Sequence, residues 1–342
     1  MASVRKQVVI VSPALADANN GNWQTARRWQ KFLQSPGANS PGFQTRIVTQ
    51  WPDGPAAAQD CGMVALHARR SAASVLAWAQ SRGTDTELQP VPGLAVVLTG
   101  TDLYRDIQTD ALAQRSLQWA QRLVVLQTLG LAALPQALQA RAQVIFQSTP
   151  ARQSLPKSSH FLRAVMVGHL REEKSPQTLF AAARLLWPHD AIRIDHIGAS
   201  LDPALTLQAQ ATASDCASYR WLGALPHEAT RRRIQRAHVL VHTRRMEGGA
   251  HVVMEAVCSG TPVLASRIDG NVGMLGTDYT GYFEWGDARQ LVALLRRCHH
   301  EPDFFSQLCA QCEARAPLFA PETERRSVQQ LLTGLTTRQP LN

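Results

Sequence analysis

No run of about 18 consecutive apolar residues occurs, so no membrane span is expected. The apolar stretch Val8–Val11 is too short for a signal peptide. Cysteine is sparse, with six in 342 residues. That usage speaks against a disulfide framework and for a reducing cytoplasm, the expected location. Cys309 and Cys312 have CxxC spacing, with Cys298, His299 and His300 nearby. No second CxxC supports a zinc site, and the pair reads as part of a helix. No Asp-x-Asp pair is present, so neither a divalent metal nor any resident cofactor is expected. Charged residues reach only 18% beside 45% hydrophobic ones, which excludes a disordered chain.

What charge there is leans one way. Lys and Arg number 35 against 26 acidic residues, a formal +9, which favours an anionic partner. The basic residues are scattered, with Arg231-Arg232-Arg233 the only triplet. A nucleic-acid binder concentrates them in a stripe. The expected partner is therefore a small phosphorylated molecule and no nucleic acid.

Short β-branched runs alternate with Ala/Leu/Arg/Gln-rich stretches, the pattern of a parallel sheet with helices on both faces. The runs Val8–Val11, Thr45–Thr49, Met63–Leu66, Leu94–Leu98, Arg122–Leu126 and Gln143–Phe146 predict six strands. Ser148 to His160 lapses into Ser, Thr, Pro and Lys and reads as a linker. Strands are then predicted at Phe161–Val167, Ile192–Ile197, Tyr219–Leu222, Val239–His242 and Pro262–Ala265, and one helix over Leu291–Ala314. The expected organisation is one α/β domain over 1–155, a second over 156–318, and a helix over 319–342 packing back across the linker.

Ligands of such sheets bind beyond the carboxyl ends of the strands. After the first strand, Asn19-Asn20-Gly21-Asn22 precedes a helix whose free amides suit an anion. Gly21 and Asn22 are candidates there, although a glycine also serves simply to turn. In the second half, Glu247-Gly248-Gly249-Ala250-His251 opens a helix carrying Glu255. The glycines let backbone touch a ligand, and the amides of Gly248, Gly249, Ala250 and His251 can hold a diphosphate. Glu247 would sit at the reacting sugar, and Glu255 could accept two ribose hydroxyls.

Glu-x7-Glu followed by Ser259-Gly260-Thr261-Pro262-Val263 resembles the donor signature of the family 4 glycosyltransferases. The resemblance implies α/β architecture of the GT-B type, with two Rossmann-like domains facing across a deep cleft. It also implies that Glu247 contacts the transferred sugar and Glu255 the nucleotide ribose. Val167-Gly168-His169-Leu170-Arg171-Glu172-Glu173-Lys174 is similar to the family's Gly-Arg-Leu segment. Lys174 then pairs with the diphosphate, and His169 stands where the family has arginine. Arg171 could restore that charge, because a guanidinium forks onto phosphate and an imidazole does not. Thr99-Gly100-Thr101-Asp102 resembles the family's His-Gly-Thr-Asp segment, which puts Thr101 and Asp102 on the acceptor side. His67 matches an acceptor-side histidine loosely and is a candidate catalytic residue.

A narrower resemblance runs from Val8 to about Arg296. Leu98 to Ile107, Arg122 to Gln127, Val167 to Pro176, Arg220 to His227 and Ser266 to Gly276 look like the selenosugar synthases of selenoneine biosynthesis. It implies UDP-glucose or UDP-N-acetylglucosamine as donor and co-substrate, and selenophosphate as acceptor. Selenophosphate is a soft, strong nucleophile and needs cations rather than a strong base. Arg69, Arg70 and Arg105 follow strand-end loops and could supply them, with plain surface solvation an equal alternative. Stable membrane insertion is not expected. A hydroxyl acceptor, lipid or glycan, and a non-catalytic nucleotide-binding role stay open.

Overall fold

The computed structural model describes residues 5–14, 21–36, 42–83 and 89–337. The chain forms two compact units, one of residues 1–147 with 321–342 and one of residues 148–320.

The first unit holds β1 (Gln7–Val11), β2 (Gln44–Val48), β3 (Asp60–Leu66), β4 (Val91–Leu98), β5 (Ala120–Val125) and β6 (Ala142–Val144). They form one sheet of order β2-β1-β3-β4-β5-β6. Every pairing is parallel. Successive strand residues point to opposite faces, and both faces are apolar. Val9, Val11, Met63, Ala65, Leu94, Val96 and Leu98 join a core with Trp51, Trp78 and Leu117. Val8, Ile10, Val64, Leu66, Ala95 and Val97 join another with Trp29 and Leu33. A strand buried on both sides reads as an unbroken apolar run, which is why these strands stand out in the sequence.

The last helix, Pro321–Thr336, belongs to this unit and covers the second face with Val328, Leu331, Leu332 and Leu335. That is one stripe at helical spacing. Its buried Glu324 accepts hydrogen bonds from Arg28 Nε at 2.6 Å, Arg28 Nη2 at 2.9 Å and Trp29 Nε1 at 2.6 Å. A carboxylate taken out of water is tolerated because it is paired and fully bonded.

The second unit repeats the plan with β7 (Leu162–Val167), β8 (Ile192–Ile197), β9 (Tyr219–Trp221), β10 (Val239–His242), β11 (Val263–Ser266) and β12 (Tyr282–Phe283). The order is β12-β11-β10-β7-β8-β9, again parallel throughout. The two-residue β12 is too short to show in the sequence pattern. The predicted helix over Leu291–Ala314 is two helices, Ala288–His300 and Pro302–Arg315. Pro302 has no N–H and its ring clashes with the preceding turn, so the first helix stops at His300 and the second starts with the proline as its first residue. Cys309 and Cys312 lie in that second helix, and Cys312 is buried with its thiol on the Tyr279 hydroxyl at 3.4 Å. No group of three or more His, Cys, Asp or Glu among the described residues could hold a metal ion. No described helix is long and apolar enough to cross a membrane.

Both sheets have a switch point where the chain reverses its direction of travel across the sheet. In the first unit it lies between β1 and β3, in the second between β7 and β10. A crevice opens at the carboxyl ends of the strands flanking such a point.

Candidate functional site

In the second unit, the segments after β7 and β10 flank the switch point. After β7 the chain runs Gly168 to Lys174. Gly168 has to lie against Gly198: a Cβ on Gly198 would sit 1.9 Å from the Gly168 carbonyl oxygen. The same carbonyl meets His196 Nε2 at 3.0 Å, while His196 Nδ1 meets the Tyr219 hydroxyl at 2.8 Å. A carbonyl only accepts, so Nε2 carries the proton and Nδ1 accepts from Tyr219. Burial pushes His196 down to about 4, which keeps the ring neutral. A buried network therefore fixes the loop.

His169 Nδ1 accepts the Ala199 amide at 2.9 Å, and burial together with Lys174, Arg171 and Arg244 lowers its pKa. The ring is thus a neutral group with one nitrogen committed to backbone. Arg171 is exposed. The Lys174 carbonyl accepts the Thr243 hydroxyl at 2.7 Å, tying this loop to the end of β10. The Lys174 ammonium has no ion pair among the described residues. Burial, then Arg244 and Arg171, push it well below the ordinary lysine value.

After β10 come Thr243 to Glu247. Glu247 is 9% exposed and ion-paired with Arg244 Nη1. The Arg244 carbonyl accepts from Ser266 Oγ at 2.5 Å, and Asn271 Nδ2 donates to the Ser266 carbonyl at 2.9 Å. The stretch Ser266 to Gly276 therefore braces the loop that carries Glu247. Gly248 and Ala250 are buried, Gly249 is half-buried, and the Ala250 amide points at Met274 Sδ, 3.2 Å away. His251 is the first residue of the helix His251–Val257, which is shorter than the stretch from Ala250 to Ser259 that reads as helical. Within it Glu255 is 8% exposed; its Oε1 lies 2.6 Å from His227 Nε2 and 3.9 Å from Arg231 Nε.

Thus Lys174, Arg171, His169 and Arg244 share one electrostatic neighbourhood, which Glu247 joins through Arg244, while Glu255 has its own basic partners. Two residues at these positions escape the motif reading. Arg244 precedes Glu247 by three positions and reads as an ordinary surface charge. His227 stands out only as part of a longer matching stretch. Their signal is cationic side chains at or just beyond strand ends.

In the first unit, His67 follows β3 with φ +73°, a backbone region that a residue with a side chain rarely adopts. Its Nε2 lies 3.2 Å from Thr101 Oγ1 and 3.9 Å from Asp106 Oδ2; its Nδ1 lies 3.8 Å from Asp102 Oδ2. Burial lowers its pKa against the opposing pull of Asp102. Asp102 is fully buried and accepts from the amides of Ala68, Thr99 and Gly100, each at 2.9 Å. It clamps the ends of β3 and β4 together, with both oxygens engaged. Asp102–Asp106 form a π-type turn, a distortion frequent at functional sites.

Arg69 pairs with Asp110 at 2.7 Å and Arg105 with its neighbour Asp106 at 2.9 Å. Arg70 is exposed and its side chain has no ion pair among the described residues. Gly21 and Asn22 begin the helix Gly21–Gln34. Among the described residues a Cβ on Gly21 would meet nothing within 4 Å. Asn19 and Asn20 lie outside the described residues.

The two sheets are shared by solved glycosyltransferase structures. Anabaena HepE, in complex with UDP and glucose, is 14% identical and covers 96% of this chain and 100% of its own at TM-score 0.69. Sucrose-phosphate synthase of Thermosynechococcus elongatus is 18% identical, covering 97% and 99% at TM-score 0.73. These likenesses establish an α/β fold of the GT-B type. A Xenopus tropicalis protein, glycosyltransferase 1 domain-containing protein 1, is 25% identical over 183 residues. The match takes in 52% of each chain, so the chain spans about half the length of that curated relative. The family model for glycosyl transferases group 1 matches residues 147–318, which contain Lys174, Glu247 and Glu255. The chain belongs to the group 1 glycosyltransferases.

Proposed function

We propose that this glycosyltransferase moves a sugar from UDP-N-acetylglucosamine or UDP-glucose to selenophosphate, forming a 1-selenosugar. The observation that carries the donor half is the clustering of Lys174 and Arg171 with Arg244, which is ion-paired with Glu247, beyond β7 and β10. In this reading Lys174 stabilises the departing UDP, where positive charge aimed at developing negative charge lowers the barrier. Glu247 contacts the sugar, and Glu255 holds the ribose in place of its present partner His227. The amides of Gly248, Gly249, Ala250 and His251 border the diphosphate, and no metal or cofactor takes part.

The acceptor half rests on the stretches that resemble selenosugar synthases and on the cations at the ends of β3 and β4. Arg70, Arg69 and Arg105 attract the selenophosphate anion, Thr101 borders it, and Asp102 keeps their loops in register. Gly21 and Asn22, at a helix start, add amide donors for the donor's diphosphate rather than for the acceptor.

A second reading, transfer to a hydroxyl, is favoured by His67. Burial lowers the pKa of its ring against the pull of Asp102 and Asp106, which favours a ring able to accept a hydroxyl proton. Incubating the pure protein with selenophosphate, or with hydroxyl acceptors, and a panel of UDP-sugars separates the two. The proposal expects UDP release that depends on selenophosphate, and a carbon–selenium product by mass spectrometry. Turnover with hydroxyl acceptors alone would overturn it.

A further inference from the structure

We propose that Arg244, rather than His169 or Arg171, holds the distal phosphate of the donor's diphosphate, and that its ion pair with Glu247 opens as the phosphate arrives. The inference rests on the donor-site reading above. A phosphate is best gripped by a forked, permanently charged group. Three side chains of the second unit could supply one. His169 is neutral, with Nδ1 already taken by the Ala199 amide, which leaves a single uncharged donor. Arg171 is exposed, where water and salt screen its charge.

Arg244 differs from both. Its side chain is only 19% exposed, its Nε is buried without a hydrogen-bond partner, and Nη1 reaches Glu247. Lys174 lies close enough for Arg244 to disfavour its charge, its ammonium makes no ion pair among the described residues, and Glu173 only partly offsets its burial. His242, 2% exposed, lies near both cations, and burial, Arg244 and Lys174 hold its pKa well below the ordinary value. Two shielded cations, of which only Arg244 has a carboxylate at ion-pair distance among the described residues, cost free energy, and a dianionic phosphate would offset that cost. Glu247 is the present counter-ion of Arg244. When phosphate takes its place, the carboxylate is freed beside the sugar attached to that same phosphate. Donor binding would thus deliver Glu247 to its position, and Arg244 would set its timing.

The test is calorimetric titration of UDP and of UMP into wild-type protein, Arg244→Gln, Arg244→Lys, Glu247→Gln and Lys174→Gln. Arg244→Gln should weaken UDP binding about tenfold or more and UMP far less, and Arg244→Lys should fall between, because lysine keeps the charge without the fork. Glu247→Gln should bind UDP about threefold tighter while turnover falls, because the competing carboxylate is gone. A purely structural arginine would not produce that gain. UDP affinity unchanged in Arg244→Gln overturns the proposal, and so does an equal loss for UDP and UMP. If Lys174→Gln weakens UDP while Arg244→Gln does not, only the Arg244 assignment falls. If wild-type protein does not bind UDP, the donor-site reading falls as well.

Discussion

Gly270 has no side chain at the one place where a Cβ would stand 2.0 Å from the carbonyl oxygen of Glu247. The glycine allows the short helix Asp269–Leu275 to press directly on the loop that presents that carboxylate. Gly270→Ala must push the loop away. Turnover is expected to fall at least about tenfold, with a stability loss of about 1–3 kcal/mol from overpacking. Parallel measurement of kcat and of the urea midpoint checks this; unchanged kcat would show that the close approach is not what positions Glu247.

The neutral, buried His196 makes the second unit acid-sensitive. Its folded pKa of about 4 lies below the ordinary 6.5. The stability it contributes is complete above about 6.5 and drains away as pH falls toward 4, because only the unfolded chain takes up the proton in that window. The loss amounts to about 3 kcal/mol by pH 4. His196→Gln should flatten this part of the stability–pH curve and also loosen the Gly168 loop, raising the KM for donor. Urea titrations between pH 7 and 4 read the first effect, and an acid limb equally steep in the variant would refute it.

The pair of His227 with Glu255 has the opposite sign. The carboxylate beside it raises the imidazole pKa. Its stabilisation is therefore full below the ordinary value of 6.5 and disappears as pH climbs past the raised folded value. The destabilisation caused by His227→Gln should be largest near pH 5.5 and absent by pH 9. A difference independent of pH would mean that the two side chains are not coupled. Because Glu255 is the proposed ribose ligand, His227→Gln should also change UDP affinity more at low pH than at high pH.

Glu324 bonds to Arg28 and Trp29 from within the first unit. Glu324→Ala would leave Arg28 without its counter-ion, at a cost of about 3 kcal/mol. Thermal unfolding should show a lower midpoint, and a change in tryptophan emission should report the altered surroundings of Trp29. Donor affinity, carried mainly by the other unit, should change far less than stability.

The α/β plan was legible because strands covered on both faces leave unbroken β-branched runs, such as Val8–Val11 and Ile192–Ile197. The break at Pro302 was legible in principle from the missing N–H, yet the flanking helical composition masked it. Glu247 and Glu255 stand out as candidates because one loop and one short helix set their spacing, and Lys174 because it lies in a short segment that resembles the family's. Arg244 and Gly270 do not. Arg244 matters through partners some seventy residues away across β7 and β10, and Gly270 through a contact with backbone. Neither relationship leaves a periodicity or a spacing to read. The sequence also could not distinguish His169 from Arg171 as the phosphate ligand, because the hydrogen bond that occupies His169 comes from Ala199, thirty residues away.

A crystal structure of the protein with UDP would test the central claim most directly. The account predicts the diphosphate beyond β7 and β10, with Lys174 and Arg244 on its oxygens, the ribose on Glu255, and Glu247 parted from Arg244. UDP bound elsewhere, or bound there with the Arg244–Glu247 pair intact and Lys174 turned away, would contradict it.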